Sequence, residues 1–170
     1  KYEGLEFHIV GNCDKEQGKE LSKLSEYATN MHIHSTMPQN KLADLMRSMD
    51  IFVLPSYYEG LGLVNIEALA CGMRVVTTPI EGLIYLLGEK INNSGLIKYV
   101  RLPRLYDVDK AFEEDKPKFI KDLVKEISSQ IESIKSKETA SEEIMEMIRE
   151  HSWAGIVHKV DSDIKRLANA

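Results

Sequence analysis

Apolar residues along this chain follow two rhythms. As far as about residue 100, short apolar runs bounded by Gly, Pro or Asn alternate with stretches of helical spacing; beyond about residue 108 only the helical rhythm remains. "LEFHIV" (Leu5 to Val10) reads as a strand stopped by Gly11. "DKEQGKELSKLSEYA" (Asp14 to Ala28) reads as an amphipathic helix with Leu21 and Leu24 on one face. "MHIH" (Met31 to His34) is a short strand, and Pro38, Gln39 and Asn40 open a helix through Leu42, Leu45, Met46 and Met49. "DIFVLP" (Asp50 to Pro55) is an apolar run ended by proline, as in a strand buried on both faces. A helix starts near Leu63, "MRVVTT" (Met73 to Thr78) is a strand, "GLIYLLG" a short helix, and "GLIKYV" (Gly95 to Val100) a last strand. Alternation of this kind predicts an α/β fold, a three-layer Rossmann-like parallel sheet with helices on both faces.

From about 108 to 170 the pattern predicts C-terminal helices, with Phe112, Phe119, Ile120, Leu123, Val124, Ile127, Ile131 and Ile134 on the apolar stripe of a Lys/Glu-rich helix over Asp109 to Lys137. Ser141 followed by glutamates is an N-cap, and a last helix runs from about Trp153, read as its packing anchor, to Leu167. Arg101 to Pro117 is the longest irregular stretch, with Arg101 and Arg104 read as solvated. The whole chain, 1–170, reads as one domain.

Composition narrows the function. A 170-residue chain suits one domain with a substantial core, and a net charge of −5 argues against nucleic-acid partners. No apolar run approaches the length of about 20 residues that spans a bilayer, and the first residues lack a signal-peptide pattern. Cys13 and Cys71 are far apart and have no metal-ligand spacing, so they read as free thiols of a reducing, cytoplasmic compartment. His32 and His34 alternate along one strand face, but a metal pair there has no third ligand nearby; His8 reads as strand surface or satisfied core.

The chemistry concentrates in "PSYYEGLGLVNIEALACG" (Pro55 to Gly72). In a doubly wound sheet, ligands sit beyond the carboxyl ends of the strands, where Pro55 to Gly62 lies. Gly60 and Gly62 permit close backbone approach, and the free N–H groups of a helix starting at Leu63 suit a diphosphate. Glu67 sits one turn into an otherwise apolar helix. Its carboxylate needs a partner, either a ribose diol or a buried cation such as Arg74. Glu59, on the loop, could reach a sugar beside the phosphate. Turn chemistry alone would also account for the glycines. Tyr57 and Tyr58 flank the loop and read first as loop packing.

"FVLPSYYEGLGLVNIEALACGMRVVTT" resembles the donor-site signature of the retaining glycosyltransferases of family four, an E-x7-E motif in which Glu59 and Glu67 match the two acids. Leu61 stands where Phe is usual, Arg74 where Pro is frequent, and Glu81-Gly82 where the family has a Gly pair. "FHIVG", "HIHSTMPQNKLADLMRSMD" and "HSWAGIVHKVDSDIKRL" resemble further family segments in the right order.

The resemblance implies the C-terminal half of a two-Rossmann-domain GT-B enzyme. That half would bind a nucleotide-sugar donor, UDP- or GDP-linked, and transfer its hexose to a glycan or lipid-linked acceptor without a metal or other cofactor. Glu67 would hold the ribose and Glu59 would position the donor sugar. Ser56, Gly60, Leu61, Gly62 and Leu63 would lie against sugar and diphosphate, and His34, Thr36 and Met37 would line the base. The N-terminal acceptor domain, and a strand carrying an Arg and a Lys that neutralise the diphosphate, are expected upstream of this chain, so these 170 residues alone are expected to be inactive. Peripheral membrane association would run through that acceptor domain. Alternatives are a stand-alone nucleotide-binding subunit docking on a separate acceptor protein, or a related sugar-nucleotide epimerase or phosphorylase. No additional catalytic acids or pyridoxal-phosphate lysine motif supports the last two.

Overall fold

The computed structural model describes residues 2–168, without the side chains of Tyr27, Trp153, Ala154, Lys159 and Ala168; the anchoring role read for Trp153 therefore lies outside the described residues. The chain forms two compact units, residues 1–42 and 43–170.

In the first unit, β1 (Phe7–Val10) and β2 (Met31–His34) pair in parallel, with His8 opposite His32. Helix α1 (Lys15–Tyr27) makes the crossover between them. Asp14 starts it with a capping box: its side chain accepts from the backbone of Glu16 and Gln17, and Gln17 reaches back to the Asp14 N–H. Helix α2 (Gln39–Arg47) follows Pro38 and spans the boundary between the units.

In the second unit, β3 (Ile51–Leu54), β4 (Arg74–Thr77) and β5 (Ile97–Tyr99) form a parallel ladder in that order. Helix α3 (Leu63–Ala70) joins β3 to β4, and α4 (Glu81–Asn92) joins β4 to β5. Right-handed crossovers in one direction place both on one face of the sheet. Helix α5 (Lys116–Lys135) packs on β3 and β4, where Phe119 joins Val76 and Val100 in the core and Ile51, Val53 and Tyr57 close around them. Helix α6 (Glu142–Glu150) packs on α3 and α4 and buries Ile148; α7 (Trp153–Ala168) follows it. The expected α/β architecture, parallel sheet flanked by helices, is thus present. No helix among the described residues is long and apolar enough to cross a membrane.

Two readings of the sequence need correction. The helical tail expected from about 108 begins later. Residues Leu105–Asp107 (β6) and Lys110–Ala111 (β7) form an antiparallel hairpin instead. Asp107 holds its turn, accepting from the Val108 N–H and from Lys110 Nζ, each at 2.9 Å. Pro117 in the first turn of α5 then fixes where the helix starts. Second, α4 does not stop at Gly88. It kinks there, at φ 69°, and continues to Asn92. The Asn92 side-chain amide donates to the carbonyls of Ile84 and Gly88 at 2.8 and 2.7 Å, satisfying acceptors that the kink exposes.

Candidate functional site

The carboxyl ends of β3 and β4 open into a cavity of about 390 Å³. One wall is the loop after β3, with Tyr57, Tyr58, Glu59 and Gly60. The other is Thr78 and Pro79 with the start of α4, Ile80, Glu81 and Gly82, and Leu102 closes the edge beyond β5. The two walls are tied together: Thr78 Oγ1 donates to the Ser56 carbonyl at 2.6 Å, and one residue earlier Thr77 Oγ1 donates to the Leu54 carbonyl at 3.1 Å. Both threonines are buried, so these bonds are shielded from water.

Glu59 is half-buried, and its carboxylate accepts from Ser56 Oγ at 3.0 Å. That bond holds the acid at the cavity edge and gives Ser56 a positioning role. Gly60 is exposed, with open space where a side chain would go. Gly62 is the opposite case. It caps α3 in the left-handed region, at φ 63°, and a Cβ there would meet Asn65 Nδ2 at 2.7 Å and Ile80 Cδ1 at 2.8 Å. Both backbone and crowding therefore favour glycine here. Asn65, fully buried, secures the turn by donating Nδ2 to the Gly62 carbonyl at 3.0 Å. Gly82 brings the first turn of α4 against the glycine loop, since a Cβ on it would lie 3.1 Å from Leu61 Cδ1. Neither α3 nor α4 has a side-chain N-cap, so neither first turn has its N–H groups occupied by its own capping residue.

Of the residues singled out from sequence, Ser56, Glu59, Gly60, Leu61, Gly62 and Leu63 follow one another along this loop. Glu59 and Gly60 line the cavity. Leu63 is 48% exposed at the first turn of α3, and Glu67 lies one turn further on, half-buried. The buried cation weighed against a ribose as partner for Glu67 is committed elsewhere, because Arg74 donates to Gly95, Gln130 and Glu138. Tyr57 does pack, edge-to-face on Phe119 with centroids 5.5 Å apart, yet it also lines the cavity beside the 69% exposed Tyr58. His34, Thr36 and Met37 belong to the first unit: His34 ends β2, and Thr36 Oγ1 lies 3.4 Å from Asn12 Oδ1. Arg104 is not a free cation; it bonds Asp115 and Glu114 and lies over Phe112. These partners push its pKa further up and hold Asp115 below the usual carboxylate range.

The contribution of Thr78, Ile80 and Leu102 to the cavity was not read from the sequence. Its signal was there in principle, since the carboxyl end of β4 is as much a ligand position as that of β3.

The α/β fold thus sets a loop with a fixed carboxylate and a tightly packed glycine between two helix starts at the strand ends. Comparison with known proteins gives the family. The model of the glycosyl transferases group 1 family matches residues 1–100, and the chain belongs to that family. Among curated relatives, it is 32% identical over 103 residues to a putative teichuronic acid biosynthesis glycosyltransferase of Bacillus subtilis, covering 59% of this chain and 26% of that protein. It is 56% identical over 45 residues to a D-inositol 3-phosphate glycosyltransferase of Catenulispora acidiphila, covering 26% of this chain and 10% of that protein. Against an N-acetylgalactosaminyltransferase of Campylobacter jejuni the identity is 33% over 88 residues, 52% of this chain and 22% of that one. The chain therefore spans about a quarter or less of the length of these relatives. The crystal structure of WaaG, a glycosyltransferase involved in lipopolysaccharide biosynthesis, aligns over 70% of this chain and 29% of that one, with a TM-score of 0.46 and 23% identity.

Proposed function

We propose that this chain is the donor-binding part of a GT-B, retaining, nucleotide-sugar-dependent glycosyltransferase that moves a hexose from a UDP- or GDP-sugar to a glycan or lipid-linked acceptor. The observation that carries the reading is the cavity at the ends of β3 and β4, with Glu59 held at its edge by Ser56. Its volume lies in the range of small-molecule sites and suits one sugar ring. Its lining includes two acidic residues, Glu59 and Glu81, and no lysine or arginine. Carboxylates suit sugar hydroxyls, which donate, and disfavour phosphate oxygens.

The diphosphate accordingly belongs beside the glycine turn, at the uncapped start of α3, where backbone N–H groups and the helix dipole favour an anion. Its remaining charge calls for the Arg and Lys that the family resemblance places upstream of this chain. Glu67, one turn into α3, is the ribose ligand in this reading, and His34, Thr36 and Met37 are the base contacts. The whole enzyme works in the cytoplasm without a metal in the donor site, and its acceptor domain carries any attachment to the inner face of the membrane.

Calorimetric titration of the chain with UDP, GDP, ADP and their sugar conjugates tests this. Preferential binding of one nucleoside diphosphate, lost in Glu67→Ala, is the expected result. Absence of binding to every nucleotide, both here and in the protein extended by its upstream sequence, would sink the reading.

A further inference from the structure

The first unit carries a side-chain cluster of which the donor reading uses only His34. His8 and His32 are register partners on β1 and β2, and His34 lies two residues beyond His32 on β2, so a period of two puts the three histidines on one face of the ladder. Glu6, just ahead of β1, brings Oε2 to 3.7 Å from His8 Nε2. The rings stack, His8 with His32 at 4.6 Å between centroids and His8 with His34 at 5.2 Å. His8 Nδ1 and His34 Nε2 are 3.0 Å apart and share one hydrogen bond. The other ring nitrogen, His8 Nε2, is buried and has no hydrogen-bond partner; Glu6 Oε2, at 3.7 Å, is too far to be one. A shielded nitrogen of this kind carries a desolvation cost that nothing in the protein offsets. Around it, ligand atoms of Glu6, His8 and His32 all lie within 4.8 Å of one another.

We propose that Glu6, His8 and His32 form a binding site for a divalent transition-metal ion of the zinc type, four-coordinate with water in the last position. Two imidazoles and a carboxylate are a donor set that suits such an ion and is poor for magnesium or calcium. With Nδ1–H donated to His34 Nε2, the His8 Nε2 lone pair faces the carboxylate and the second imidazole, and a cation between them answers all three. His34 then plays the outer-ligand part, fixing the tautomer and ring plane of His8. Ligands at about 2.0–2.2 Å from a tetrahedral ion are about 3.4 Å apart, so loading draws the cluster in by about an ångström. The ion has a clear physical use. Among the described side chains of residues 2–42 none is buried, so this unit has little core of its own, and a metal joining β1 to β2 clamps the ladder.

The test is titration of the chelator-treated chain with Zn²⁺ by calorimetry and with Co²⁺ by visible absorption. One ion per chain, a tetrahedral Co²⁺ spectrum and a Tm that climbs with ion concentration are expected. His8→Ala should abolish saturable binding, and His34→Ala should weaken it about 10–100-fold. Cys13→Ser should leave it unchanged, which sets aside the exposed thiol as a rival ligand. No binding at millimolar ion, or binding unaltered by His8→Ala, overturns the site. If His8→Ala does not fold, the imidazole resonances of the unmutated chain decide: Zn²⁺-induced shifts at His8 and His32 support the site, and shifts confined to His151 and His158 overturn it.

Discussion

Arg74 Nη1 donates to Gln130 Oε1 across 3.0 Å in the interior of the second unit, where Arg74 is 7% exposed and Gln130 fully buried. The pair knits the start of β4 to the underside of α5. Arg74 also donates to the carbonyls of Gly95 and Glu138, and Gln130 Nε2 reaches those of Val75, Gly95 and Leu96 at 3.2–3.3 Å. Neutral carbonyls thus disperse most of the guanidinium charge, because the Glu138 carboxylate is 4.0 Å away and 62% exposed. Removing Gln130 takes away one buried acceptor of the guanidinium and leaves the carbonyls of Val75 and Leu96 without its amide. Gln130→Ala should cost about 1–3 kcal/mol in denaturant unfolding. The double variant Arg74→Met/Gln130→Leu should lose less than the sum of the two single changes, with a coupling of about 1–3 kcal/mol. Additive losses would show that the pair does not act as a unit.

That pair also marks the limit of what the sequence shows. Local signals were legible: the Ser141 cap, the proline stop after β3, the period of α5 and the run from Pro55 to Gly72. Each depends on residues within a turn or two of one another. Arg74 and Gln130 are 56 positions apart, and nothing in either neighbourhood names the other. The hairpin β6–β7 escaped because its strands are only three and two residues long, too short for a period to register. The kinked half of α4 escaped because Gly88 reads as a stop, and the rescue by Asn92 is a tertiary detail. The site divides the same way. The β3 side of the cavity was read from its glycines and acids, whereas the β4 side depends on which strand ends are neighbours.

Gly62 and Gly60 should respond in opposite ways to alanine. At Gly62 the left-handed backbone costs about 1–2 kcal/mol for any Cβ, and the collisions with Asn65 and Ile80 add about 1–3 kcal/mol of overpacking. Gly62→Ala should therefore lower stability by about 2–5 kcal/mol. Gly60→Ala faces open space and no positive φ, and should stay within about 0.5 kcal/mol of the unmutated chain. Thermal melts of the two variants, side by side, check both; a neutral Gly62→Ala would mean that the loop relaxes freely.

Tyr99 gives a pH signature. Burial pushes its phenol up to about 12, and its hydroxyl donates to Asn92 Oδ1 at 2.5 Å. The folded-state pKa lies above the ordinary value of 10.0, so the folded state favours the protonated form. The resulting stability is complete below about pH 10 and is lost as pH rises through about 12. Tyr99→Phe should reduce the alkaline loss of stability between those limits, measured by denaturant unfolding across the range. It should also remove a component near pH 12 from the ultraviolet phenolate titration. An unchanged titration curve would show that another tyrosine supplies that component.

The two acids of the E-x7-E spacing should separate by ligand. On the proposed reading, Glu59 meets only the sugar and Glu67 only the ribose. Glu59→Gln should weaken binding of the nucleotide-sugar about tenfold while leaving the free nucleoside diphosphate untouched. That tenfold is about 1.4 kcal/mol, near the lower end for a hydrogen bond to a charged group. Glu67→Ala should weaken both ligands alike. Ser56→Ala, which frees the Glu59 carboxylate from its 3.0 Å anchor, should behave as a milder Glu59→Gln, because it loosens the acid without removing it. Paired titrations with each ligand on all three variants measure the split. If Glu59→Gln lowered the affinity for the bare diphosphate as much as for the sugar conjugate, the acid would lie against the nucleotide, and the sugar would have to be placed elsewhere than the cavity at the ends of β3 and β4.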